Sequence, residues 1–178
     1  KMYKKSISAI LITLTLFATV SSLIARQGRS IQGRWNFNSS SPDRRPLPSD
    51  ANEQKILSLL EEIAQTDNSG LIVPLEDGRL LRMLTESTGA KNVVEIGTYN
   101  GYSTLWFCLA LRTTGGKIIT HEIDVKIAAA ARKNFKKAGV ENLATVVEGD
   151  AHDTVTKLKG PIDILFIDAD KPGYADYI

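Results

Sequence analysis

Carboxylates and glycines recur at the ends of apolar runs in the second half of this chain. Val93-Val94-Glu95-Ile96-Gly97-Thr98-Tyr99-Asn100-Gly101-Tyr102-Ser103 carries an apolar run into an acidic residue and then a glycine turn. A strand, a glycine loop and a helix start in that order let backbone approach a ligand closely. They also offer N–H groups to its polar end, as in a nucleotide-type cofactor site. The loop reads Gly97-x-x-x-Gly101, and Tyr99 stands where a dinucleotide fingerprint has its second glycine. That glycine admits a pyrophosphate, so a ligand with a small charged end, such as an amino-acid moiety, fits better.

Three further acidic positions follow. Glu122 lies 25 residues after Gly97 at the end of the next apolar run. A carboxylate there can accept both hydroxyls of a ribose; the plainer reading is a solvated acid at a strand end. Asp150, in Gly149-Asp150-Ala151, could meet a purine amino group or cap the helix beginning near His152. Asp168-Ala169-Asp170-Lys171 ends the last apolar run. Asp168 is the best-placed oxygen ligand for Mg²⁺ or Ca²⁺, and Lys171 beside a cation could take a proton from a substrate hydroxyl. The plainer reading of this cluster is a surface ion pair. His121 is out of phase with Glu122 and reads as structural, as does Cys108 inside Leu105-Trp106-Phe107-Cys108-Leu109. A single cysteine excludes an internal disulfide and any multi-cysteine metal site.

Alternating elements must position these groups. The patterns predict strands at 92–97, 117–123, 144–148 and 162–168, and helices at about 101–112, 125–138 and 152–158. Asp124 is the expected cap of the helix from Val125, and Gly139 its stop. Two helices precede them. One starts at Asp50, with Glu53 at capping-box spacing and Ile56, Leu57, Leu60, Ile63 and Ala64 on one face. The other runs from about Glu76 to Thr88, with Leu80, Leu81 and Leu84 inward. Repeated βα units with short apolar strands predict an α/β, doubly wound, mostly parallel sheet whose site lies at the strand C-terminal ends.

The net charge of +2 hides an asymmetry. Residues 1–45 carry a net +7 and residues 46–178 a net −5. The body is therefore a poor nucleic-acid partner, since phosphate neutralisation needs clustered cations. Residues 1–25 hold Lys1, Lys4 and Lys5 and then an uncharged run from Ile7 to Ala25. Its 19 residues approach the ~20 that span a bilayer as a helix. It reads as an uncleaved membrane anchor, or else as the core of an export signal. Residues 26–49, with three prolines and five arginines, read as a disordered basic linker. Residues 50–178 form the folded domain.

Four motifs together resemble the cation-dependent O-methyltransferases, the family of catechol and caffeoyl-CoA O-methyltransferases. They are Val94-Glu95-Ile96-Gly97-x-x-x-Gly101-Tyr102-Ser103, Glu122-Ile123-Asp124, Gly149-Asp150-Ala151 and Phe166-Ile167-Asp168-Ala169-Asp170-Lys171-x-x-Tyr174. The resemblance covers roughly Leu71 to Ile178. It implies the Rossmann-like fold of class I S-adenosylmethionine methyltransferases, S-adenosylmethionine as methyl donor, a divalent cation (Mg²⁺ or Ca²⁺) and a small phenolic or catechol-like hydroxyl as acceptor. Glu95, Gly97 and Ser103 then match the methionine end of the cofactor, and Val73 the residue covering it. Glu122 matches the ribose ligand and Asp150 the place where adenine is held. Tyr99, Gly101, Tyr102, Ile123 and Ala151 complete the expected cofactor set. Asp168 matches a metal ligand that also faces the cofactor's amino group, and Lys171 a lysine proposed as general base. The family continues past the fourth βα strand and carries an Asp-Asn pair of metal ligands downstream; this chain stops at Ile178. It is therefore expected to be a C-terminally incomplete piece of a longer protein.

Two other functions share these features: a nicotinamide-dependent oxidoreductase, and a non-catalytic membrane-tethered module that keeps the fold without the metal site. An intracellular cofactor favours an anchored domain on the cytoplasmic side over an exported one. A homodimer is an admissible assembly.

Overall fold

The computed structural model describes the backbone of residues 10–13 and the whole of residues 47–169. Among the described residues five strands form one parallel sheet: β1 (Ile10–Thr13), β2 (Asn92–Ile96), β3 (Lys117–Glu122), β4 (Ala144–Glu148) and β5 (Ile164–Ile167). Their order is β1-β5-β2-β3-β4. The helices are α1 (Ala51–Thr66), α2 (Leu75–Thr88), α3 (Tyr102–Thr114), α4 (Val125–Ala138) and the short α5 (Ala151–Thr154), which runs into a 3₁₀ turn at Val155–Lys157. The expected doubly wound architecture is present. From β2 the chain winds outward through β3 and β4, then returns to place β5 on the other side of β2. That reversal opens a crevice at the carboxyl ends of β2 and β5, where such sheets bind ligands.

The main core fills the face under α1 to α4. Every residue from Tyr102 to Leu111 is buried, so α3 is enclosed on all sides. Val93, Ile118, Ile164 and Phe166 meet it from the sheet, with Phe107 and Phe166 edge-to-face at 5.7 Å between centroids. Strand alternation sends Val94, Ile96 and Ile167 to the opposite face, where Ala151, Val155, Leu158 and Ile162 give a thinner cover. Cys108 is fully buried in the main core, and burial pushes its thiol pKa up, as a core residue requires.

Helix caps follow the expected chemistry. Asp50 Oδ1 accepts from the Glu53 N–H at 2.8 Å, and Asp124 Oδ1 accepts from Lys126 and Ile127 at 2.7 and 3.1 Å. Glu53, however, turns back to Ser49 and not to Asp50. It is buried, with its carboxylate 2.7 Å from the Arg82 guanidinium of α2.

Three expectations are corrected. The apolar run from Ile7 to Ala25 was expected as a helix; in its described part, Ile10–Thr13 form a strand paired with β5, Ile10 beside Ile164 and Thr13 beside Ile167. The edge of β5 away from β2 offers this segment a ladder. Among the described residues no helix is long and apolar enough to cross a membrane. The rest of that run, and most of the expected linker, lie outside the described residues. Leu80, expected inward, is 37% exposed, because α2 instead presents Gly78, Leu81 and Thr85 to α3. A Cβ at residue 78 would collide with the Trp106 indole, which sets that rotation. On α1, Ala64 is exposed and Leu59 takes the buried place.

Candidate functional site

Backbone packing builds the site first. Gly97 has φ +98°, and a Cβ there would run into the carbonyl oxygen of Asp168. Only glycine lets the end of β5 lie against the turn after β2. The Asp168 N–H donates to the Ile96 carbonyl at 2.9 Å, and the Gly97 and Thr98 N–H groups both donate to the His121 carbonyl, at 3.0 and 3.1 Å. Three strand ends are thereby locked around one loop. Thr98 and Thr120 share a buried hydroxyl–hydroxyl hydrogen bond of 2.6 Å beneath it.

Glu122 is held by that loop. Its Oε2 accepts from the Tyr99 N–H at 2.8 Å and its Oε1 from the Asp124 N–H at 3.0 Å. A carboxylate oxygen has two lone pairs, so each keeps an acceptor position for a ligand hydroxyl, with its direction already fixed. Tyr99 has φ +49°, a left-handed conformation uncommon outside glycine, and the Glu122 bond helps hold it there.

Glu95 lies beneath the loop and is fully buried. Its two oxygens accept from Ser103 Oγ and Thr104 Oγ1, each at 2.5 Å, at the start of α3. Burial raises its pKa from 4.5 to about 7 against the lowering pull of those hydroxyls; Asp168 adds a smaller push upward. A cationic ligand over the loop would favour its ionised form.

Asp150 performs the capping role that the sequence left open: its Oδ1 accepts from the N–H and the Nδ1 of His152, at 2.9 and 2.8 Å. The backbone bond from His152 comes first among the causes that hold its pKa below the ordinary value. His121 is buried, and its Nδ1 lies 2.7 Å from Thr154 Oγ1.

These groups border one cavity of about 600 Å³. Of the expected cofactor set, Val73, Gly97, Tyr99, Tyr102, Ser103, Glu122, Ile123, Asp150, Ala151 and Asp168 line it. Glu95 and Gly101 do not; they act from behind, Glu95 on the α3 hydroxyls and Gly101 by letting the chain pass Phe135. Lys171 lies outside the described residues. Leu71, Ile72, Thr98, Asn100 and Ala169 also border the cavity. They were not among the expected site residues, since loop residues carry no periodic signal and only nearness to Val73, Gly97 or Asp168 could have suggested them. Asp168 is the one expected metal ligand, and among the described residues no three His, Cys, Asp or Glu side chains gather to hold a cation. The described donor set therefore does not by itself fit a divalent ion.

A parallel α/β sheet with a glycine loop at its switch point, an acid at the next strand end and a cavity over both defines a Rossmann-like cofactor-binding domain. The comparisons narrow the class. A profile of the O-methyltransferase family matches residues 48–178, and the chain belongs to that family. It is 37% identical over 129 residues to a catechol O-methyltransferase of Niastella koreensis, covering 70% of this chain and 58% of that protein. It is 40% identical over 111 residues to a catechol O-methyltransferase of Mycobacterium tuberculosis, covering 61% and 49%. The chain thus spans about half the length of these curated relatives. Among solved structures, the Bacillus cereus O-methyltransferase in complex with SAH superposes with TM-score 0.61 at 33% identity, covering 74% of this chain and 61% of that one. An O-methyltransferase of Streptomyces achromogenes in complex with SAM gives TM-score 0.61 at 30% identity, covering 74% and 59%. Family membership removes the nicotinamide oxidoreductase alternative.

Proposed function

We propose that this protein binds S-adenosylmethionine in the cavity over the Gly97 loop and serves methyl transfer to a hydroxyl of a small phenolic or catechol-like molecule. The observation that carries the proposal is Glu122, a carboxylate fixed on both oxygens by backbone N–H groups and poised to accept a pair of hydroxyls. Support also comes from the cavity volume, which suits a nucleoside-sized ligand, and from the SAM- and SAH-bound relatives.

In this reading the cofactor's ribose meets Glu122, its adenine lies toward Ile123, Asp150 and Ala151, and its amino-acid end rests on the Gly97 loop. Val73 covers it from the α1–α2 connection. The cofactor supplies an activated methyl group. The residues of this chain orient it, and fixed orientation provides much of the rate in a direct displacement. Asp168 would offer a single oxygen ligand to a divalent cation.

Calorimetric titration with SAH tests the binding, and transfer of labelled methyl to catechol tests the chemistry. Glu122→Ala removes two charge-assisted hydrogen bonds and should weaken SAH binding about 10- to 100-fold. A wild-type protein that is folded and binds neither SAM nor SAH defeats the proposal. Asp168→Ala should lower any stimulation by Mg²⁺; undiminished stimulation removes the cation ligand.

A further inference from the structure

The connection between α1 and α2 carries one wall of the cavity: Leu71, Ile72 and Val73 border it, although Leu71 is 63% exposed. Side-chain polar bonds tie this wall to the glycine loop, and they converge on Asp67, which follows the last residue of α1. Asp67 Oδ2 accepts from the Tyr99 hydroxyl at 3.0 Å and from Asn100 Nδ2 at 2.9 Å. Asp67 Oδ1 accepts from the Ser69 N–H at 2.9 Å and from Ser69 Oγ at 2.5 Å. Ser69 Oγ in turn accepts from the Leu71 N–H at 3.0 Å. A continuous path therefore runs from Leu71 through Ser69 and Asp67 to Tyr99 and Asn100.

Tyr99 is the pivot. Its hydroxyl is bound to Asp67 and its N–H to Glu122 Oε2, so one left-handed residue is held between two carboxylates. Asn100 is fixed as well: its Oδ1 accepts from the Tyr102 N–H and its carbonyl from Asn134 Nδ2 of α4. The partner side of the bridge is thus anchored to the body of the fold, as Val73 anchors the far end of the wall in the main core.

We propose that Asp67 is a positioning residue that clamps the 67–73 wall onto the glycine loop, setting the closed wall and the Tyr99–Glu122 geometry before the cofactor arrives. The inference rests on the S-adenosylmethionine reading for the identity of the ligand, but the clamp itself does not depend on it. If a wall is closed in only a fraction of molecules, apparent affinity falls by that fraction. Val73 is buried in the main core and Ile72 packs against it, but exposed Leu71 contributes little burial, so over residues 67–71 the polar bonds do the closing. The hydrogen bonds to Asp67, that from the Ser69 hydroxyl foremost, hold its pKa below the ordinary value and keep it an acceptor at neutral pH.

Amide hydrogen exchange over residues 69–73, without ligand, and the dissociation constant for SAH are measured on wild type, Asp67→Ala, Asp67→Asn, Tyr99→Phe and the Asp67→Ala/Tyr99→Phe double variant. Asp67→Ala should speed exchange in the wall and weaken SAH about tenfold. Asp67→Asn, which keeps carbonyl acceptance, should recover part of both. Tyr99→Phe should do less harm than Asp67→Ala, and the double variant should be no worse than Asp67→Ala alone. Additive losses in the double variant overturn the clamp. So does a lower melting temperature for Asp67→Ala with wall exchange and SAH affinity unchanged, since that is the mark of a merely structural side chain. If Asp67→Ala does not fold, the asparagine and phenylalanine variants decide by the same two readouts. If wild type binds no SAH, the cofactor reading fails separately; equal wall exchange in wild type and Asp67→Asn or Asp67→Ala then overturns the clamp itself.

Discussion

Replacing Glu95 by glutamine should change how the stability of this protein depends on pH. The side chain is fully buried, and both its oxygens accept hydroxyl hydrogen bonds from the first turn of α3. Desolvation outweighs those bonds and raises the pKa from 4.5 to about 7. Between these values the folded protein keeps a proton that the unfolded chain has released. The contribution of this site is therefore complete below about 4.5, falls as pH rises toward 7, and levels off above it. At 1.36 kcal/mol per pH unit, the interval from 4.5 to about 7 amounts to about 3 kcal/mol. Glutamine does not titrate, so it removes this slope whatever its constant offset. Urea unfolding of both proteins at pH 5, 6, 7 and 8, at fixed ionic strength and without ligand, isolates the effect. Other titrating groups cancel in the difference. The difference should move by about 2–3 kcal/mol in favour of Glu95→Gln as pH rises. A flat difference, or one that moves the other way, refutes the assignment of a buried, proton-holding carboxyl.

Gly97→Ala should destabilise by more than about 2 kcal/mol in urea unfolding, combining a left-handed backbone with a collision at Asp168; Gly70→Ala, equally left-handed but with open space, should cost only about 1 kcal/mol. Arg82→Ala leaves the buried Glu53 carboxylate without its cation and should cost about 2–3 kcal/mol in urea unfolding, whereas Arg112→Ala, which breaks a pair with exposed Asp50, should cost far less. Cys108 should resist a thiol reagent until the protein is unfolded, its modification rate tracking global opening in denaturant titrations.

Much of this arrangement was legible because several physical signals agreed at each element. The helix from Val125 had an Asp cap before it, an apolar stripe and a glycine after it, and its observed ends match. β4 matches its expected range of 144–148 for similar reasons: a short apolar run between a glycine-terminated helix and Gly149. The errors occur where one signal stood alone. Leucine spacing suggested that Leu80 faces inward on α2. Packing of Gly78 against the Trp106 ring decided otherwise, and buried Thr85 was invisible to apolar counting because its hydroxyl is satisfied by the Leu81 carbonyl. Likewise, at Ile10–Thr13 a strand stands where the apolar run suggested a helix, since periodicity does not separate the two in a continuous apolar run. At the site, strand ends announced Glu122, Asp150 and Asp168. The Asp67–Tyr99 bridge could not be foreseen, because it joins two loops 32 residues apart through one side-chain contact.

The cavity has unequal walls. On one side stands α3, buried around its whole circumference, so its amides should open only when the entire domain does. On the other side Asp150 caps and Ala151 begins a helix of four residues, none of them buried, backed by a thin apolar cluster. Local opening is far cheaper there. A ligand bridging both walls would find one ready-made and would have to order the other. Its arrival should therefore register most strongly as slowed exchange around residues 150–158, with little change at α3.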